Sequence, residues 1–104
     1  MPTGVRRLQL LLSDRDDVNA AFFNALPTSL PVLVELCIVR SHTINTAVVC
    51  AISEAVGGLP NLRLLQLVKV GTNYLLGTNY SILGLQSFIA ENHSRVEVEA
   101  YHHE

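Results

Sequence analysis

The sequence predicts an α/β fold in which short parallel strands alternate with helices, and three observations lead there. A short apolar pattern returns along the chain at nearly equal spacing. Between its copies the apolar period changes from 2 to about 3.6. The composition, 49% hydrophobic and 15% charged over 104 residues, demands a packed core. A chain of this length makes one domain and can bury only about two thirds of the surface its unfolded form exposes. A mean hydropathy of +0.33 therefore leaves apolar side chains to meet a partner.

The returning pattern is Leu30-Pro31-Val32-Leu33-Val34-Glu35-Leu36-Cys37-Ile38, which recurs 29 residues later as Leu59-Pro60-Asn61-Leu62-Arg63-Leu64-Leu65-Gln66-Leu67. Written as LxxLxL, the unit reads Val5, Leu8, Leu10, then Leu33, Leu36, Ile38, then Leu62, Leu65, Leu67, and finally His93, Val96, Val98. The starts are 28, 29 and 31 residues apart, and repetition at this spacing marks stacked supersecondary units. The single segment is expected to span 1–104, with repeats starting near 5, 33 and 62 and a partial one near 93.

Each unit opens with a strand and continues into a helix. After the first strand, Asp14, Asp16 and Asp17 offer N-caps, and Val18, Phe22 and Leu26 recur at helical spacing, so a helix is expected from about Asp16 to Leu26 with Pro27 stopping it. After the second strand, Thr43 and Asn45 precede Val48, Ile52 and Val56, and Gly57-Gly58 supplies the C-terminal stop. After the third, Asn79 and Ser81 precede Ile82, Leu85 and Ile89, with an end near Asn92. The order βαβαβαβ makes every strand parallel.

These units resemble the leucine-rich repeat family, in particular its ribonuclease-inhibitor-like branch, and the resemblance covers nearly the whole chain. It implies a short right-handed βα solenoid with the parallel sheet on the concave side and the helices on the convex side. The third unit matches the family pattern closely and the others more loosely. The Asn or Cys usual at position 9 is replaced by Ser13, Ser41, Val70 and Tyr101, so the two serines can hydrogen-bond the turn whereas Val70 cannot. The competing architecture is an open α/β sheet with helices on both faces, because βαβ order alone does not set the winding direction.

If positions 4 and 6 of each unit face the core, positions 3, 5 and 7 face the open side. Position 3 then holds Arg7, Glu35, Leu64 and Arg95; position 5 holds Gln9, Cys37, Gln66 and Glu97; position 7 holds Leu11, Val39, Val68 and Glu99. Three aliphatic members in the last row are costly on a solvated face, although single exposed Leu or Val residues also reflect β-propensity. The helix Thr46–Val56 is apolar almost all round, as suits a middle helix with neighbours on both sides. Gly71-Thr72-Asn73-Tyr74 and Gly77-Thr78-Asn79-Tyr80 repeat one tetrapeptide six residues apart, a composition common in binding loops and equally that of a tolerated rim duplication.

Catalytic and metal signatures do not emerge. Ser41-His42 lacks the context of a nucleophile elbow, His102-His103-Glu104 are adjacent groups with no further ligands in sequence reach, and Cys37 and Cys50 form no CxxC. Those cysteines fall on a strand and a helix on opposite sides of the sheet layer, so no bridge between them is expected. The glycines lack phosphate-loop spacing, and the sequons at Asn79 and Asn92 read as coincidental in the absence of a signal sequence. Six arginines and Lys69 are scattered and the net charge is −2, which disfavours nucleic acid. No apolar run is long enough to span a membrane. With only Met1 to Gly4 ahead of Val5, the first strand is expected to present an uncovered edge that aggregates or pairs with another chain.

The expected function is a non-catalytic protein–protein interaction module, or a small structural subunit of a larger assembly, without cofactor and with an intracellular, cytoplasmic location. Its partner surface is expected at Arg7, Gln9, Leu11, Glu35, Cys37, Val39, Leu64, Gln66 and Val68, with Tyr74 and Tyr80 at the rim. The alternative is a small α/β enzyme with its site in Ser13–Asp17, Ser41–Asn45 and Gly71–Tyr80, where Asp14, Asp16, Asp17 and His42 would be the acid or base groups.

Overall fold

A computed structural model describes residues 4–13, 15–40, 46–70 and 80–103. Four strands, β1 (Arg7–Leu11), β2 (Glu35–Arg40), β3 (Leu64–Val70) and β4 (Glu97–His103), alternate with three helices, α1 (Asp16–Ser29), α2 (Thr46–Gly57) and α3 (Tyr80–Asn92). The strands form one parallel sheet in the order β1-β2-β3-β4, so each unit lies beside the next. Helix α2 packs against α1 on one side and α3 on the other.

The core explains the layering. Leu36 and Ile38 of β2 and Leu65 and Leu67 of β3 share one buried cluster with Phe23 and Leu26 of α1, Ile52 and Val56 of α2, and Leu85 and Ile89 of α3. All three helices therefore lie on the face to which these strand positions point, and an arrangement with helices on both faces is excluded. In β2 the alternate residues Glu35, Cys37 and Val39 stay half-buried, as period-2 alternation requires of a sheet covered on one side. At the edge strand β1 the inward Leu8 and Leu10 are only half-buried against the core.

The turn before each later strand is built alike. Leu33 N donates to Leu30 O at 3.2 Å, Leu62 N to Leu59 O at 3.1 Å, and Val96 N to His93 O at 2.9 Å. The leucines of the first two turns are fully buried, which explains why Leu-Pro-x-Leu returns in the sequence.

Two expectations are corrected here. Pro27 lies inside α1, which runs on to Ser29. Proline lacks an N–H, but its fixed φ is helical, so close to the helix end the chain keeps its course and closes with Leu30 N on Leu26 O at 2.8 Å. The Pro27 ring also packs where a Cβ on Gly58 would stand, 2.9 Å from its Cγ, so the pair joins the ends of α1 and α2.

The second correction concerns the fourth unit. Glu97, not Arg95, stands opposite Leu64, and successive strands are offset by 28, 29 and 33 residues. The turn bond from Val96 to His93 makes His93 the counterpart of Leu59 rather than of Leu62. A slip of two residues keeps every side chain on its face, so alternation cannot detect it. Arg95 consequently leaves the open face: its Nη2 donates to Val56 O and Leu59 O, both at 3.0 Å, at the C-terminal end of α2. A guanidinium there complements the helix dipole and adds a second donor to two carbonyls that each already accept one backbone N–H, from Leu59 and Leu62.

Candidate functional site

The register assembles three rows across the open face. Arg7, Glu35, Leu64 and Glu97 form the first; Gln9, Cys37, Gln66 and Glu99 the second; Leu11, Val39, Val68 and Tyr101 the third. Nine of the residues expected at a partner surface, all but the two tyrosines, are thus brought together. Arg7, Gln9, Glu35, Cys37 and Gln66 line one shallow depression of about 360 Å³. Tyr74 lies outside the described residues, as do Asp14 and His42, and Tyr80 is described only as the first residue of α3.

The first row begins with an ion pair, Arg7 Nε to Glu35 Oε2 at 3.1 Å, whose arginine side chain is 81% exposed. Exposed pairs of this kind contribute at most about 1 kcal/mol, so it organises the surface more than it stabilises the fold. In the second row Gln66 Nε2 donates to Glu99 Oε1 at 3.0 Å, and the Tyr101 hydroxyl donates to the same oxygen at 2.8 Å. The Gln66 bond foremost, followed by the tyrosine bond, holds the Glu99 carboxyl below its usual range, while donating its proton to that carboxylate raises the Tyr101 hydroxyl above its own. Partial burial pushes the Cys37 thiol up, away from the thiolate.

The third row is more apolar than its sequence reading, since Tyr101 takes the place expected for Glu99. It is most exposed at its two ends, Leu11 at 72% and Tyr101 at 45%, while Val39 and Val68 are half-buried between them. Tyr101 was legible as an aromatic residue but not as a member of this row, because only the length of the last connection assigns it there.

Polar ties hold this surface from below. Buried Asn19 of α1 accepts from Ser13 N at 3.1 Å through Oδ1 and donates to Ser13 O at 2.9 Å through Nδ2. Ser13 Oγ accepts from Arg15 N at 2.9 Å, so the serine does bond its turn, with an asparagine six residues on completing the closure. Arg15 at the N-cap of α1 makes no side-chain cap bond, and Asp17 pairs with it at 3.0 Å, while the side chains of the expected caps Asp14 and Asp16 lie outside the described residues. Ser41 lies outside the described residues.

Elsewhere, Cys50 is exposed on α2 and is a free thiol, as is Cys37 on the open face of β2. A groove of about 450 Å³ runs between α2 and α3, with Val49, Cys50, Leu85 and Phe88 on its walls. Among the described residues no three His, Cys, Asp or Glu side chains stand together as a metal set, and no helix is long and apolar enough to cross a membrane.

The fold and this face define the class: an α/β protein with a four-stranded parallel sheet in sequential order, helices on one face, and an open face with an apolar row. No protein-family model, curated protein or solved structure matches the chain.

Proposed function

We propose that this chain is a leucine-rich-repeat-like solenoid segment that acts without catalysis, binding another protein or seating itself as a small subunit in a larger assembly through the open face of its sheet. The observation that carries this reading is the row Leu11, Val39, Val68 and Tyr101, apolar from one edge of the sheet to the other. It is bordered by the polar row Gln9, Cys37, Gln66 and Glu99, and a dry centre with a polar border is how interfaces are built. The exposed Cys50 and half-buried Cys37 thiols fit a reducing, cytoplasmic setting.

The test is Val39→Glu, which places a carboxylate in the middle of the row. Val39 lies outside the buried core, so the chain should fold, while burial of an unpaired charge should weaken partner binding by about 2–5 kcal/mol. Leu36→Glu, at a fully buried neighbour, should unfold the chain. Quantitative capture of the same partner by the intact chain and by Val39→Glu reads the difference. Equal capture by a folded Val39→Glu refutes the open face as the contact, and unfolding of Val39→Glu as severe as that of Leu36→Glu refutes its orientation.

A further inference from the structure

We propose that copies of this chain join head to tail, the free edge of β4 in one copy pairing in parallel with the free edge of β1 in the next, so that the sheet runs on from copy to copy. Both strands are edges of the sheet that the described residues form, and an edge strand presents an outer row of backbone N–H and C=O groups to another strand. Natural edges are commonly blunted by lysine, proline or a bulge. Neither Arg-Leu-Gln-Leu-Leu in β1 nor Glu-Val-Glu-Ala-Tyr-His-His in β4 contains Lys or Pro.

The occupant is a second copy because the two edges complement each other in the register the sheet already uses. Continuing the rows by one strand sets Glu97 opposite Arg7 of the next copy, Glu99 opposite Gln9, and Tyr101 opposite Leu11. The first juxtaposition repeats what the chain does internally, where Arg7 stands opposite Glu35 and pairs with it at 3.1 Å. A guanidinium has five N–H donors, so Arg7 can serve Glu35 and an incoming Glu97 together. The third joins the two most exposed members of the apolar row, Leu11 and Tyr101, into a continuous strip.

The inward positions agree: Val98 meets Leu8 and Ala100 meets Leu10 of the next copy, and Leu8, Leu10 and Val98 are half-buried hydrophobics packed against the core of their own copy. Symmetric pairings fit worse. Two like edges paired about a two-fold axis run antiparallel, which sets Arg7 opposite Leu11 in a β1 pair and Glu97 opposite His103 in a β4 pair, and so breaks both the parallel ladder and the charge and apolar rows. Because the contact uses two different surfaces, it does not close at a dimer but gives an open series or a ring.

Sedimentation of the full chain across the micromolar range tests the proposal, with Arg7→Glu/Glu35→Arg as the informative variant. The double change preserves the internal ion pair with its signs exchanged, yet sets Glu97 against a carboxylate of the next copy. The intact chain should show mass rising with concentration beyond a dimer. The double variant should associate at least about tenfold more weakly, and adding Glu97→Arg to it should restore association. Far-UV circular dichroism checks that each variant is folded. A monomer at all concentrations, a series ending at a dimer, or a triple variant that remains monomeric while folded would each overturn the proposal. Val39→Glu leaves both edges untouched, so failure of the open face as a partner site and failure of edge pairing are read separately.

Discussion

Truncating Arg95 to alanine removes both hydrogen bonds that its Nη2 makes, at 3.0 Å to Val56 O and 3.0 Å to Leu59 O. Hydrogen bonds from a charged donor contribute about 1.5–3 kcal/mol each, and holding an arginine side chain in one rotamer costs about 2 kcal/mol. The net loss expected for Arg95→Ala is therefore about 2 kcal/mol, both carbonyls keeping their backbone donors, Leu59 N on Val56 O and Leu62 N on Leu59 O. At about 4 °C per kcal/mol for a chain of this length, Tm should fall by about 8 °C. Arg95→Lys keeps the charge at the helix terminus but not the planar fork, and should retain about half of the stability. Urea denaturation read by circular dichroism gives the difference through the midpoint at unchanged slope. A loss under about 0.5 kcal/mol, typical of an unengaged surface residue, would refute the contact and return Arg95 to the open-face row that the sequence spacing implies.

Two further perturbations test separate parts of the structure. Gly58→Ala places a Cβ 2.9 Å from Pro27 Cγ and should cost about 1–3 kcal/mol by overpacking; Pro27→Ala should relieve much of that cost, and additive effects in the double-mutant cycle would refute the contact. Glu99 should titrate below an ordinary glutamate because Gln66 and Tyr101 donate to it. Its folded pKa being depressed, any stability it contributes is present above the ordinary carboxylate range and is lost as pH falls through its own pKa. Gln66→Ala should raise that pKa in a carboxyl NMR titration, and an unmoved value would refute the bond.

Most of the secondary structure was written locally. The Leu-Pro-x-Leu turns, the paired aliphatic positions in β2 and β3, and the helical spacing of Val48, Ile52 and Val56 each restrict a few neighbouring residues, and they predicted α2 to within a residue. Proline failed as a stop signal because its penalty depends on position in the helix, and Pro27 sits where few helical bonds remain to be lost. Asn19 gave no warning of its role: a polar residue in a helix is ordinary, and only its burial beside Ser13 reveals a tie.

The sequence by itself determined the alternation of strand and helix, the parallel direction of the strands and which residues of β2 and β3 point inward, because burial of one sheet face writes a period of 2 into the chain. Tertiary structure decided that all three helices share that inward face, that Arg95 turns back to α2, and that Tyr101 completes the apolar row. The register of β4 follows from its backbone pairing with β3. A slip of two residues leaves the hydrophobic pattern unchanged, so no reading of periodicity alone could have chosen between the two registers.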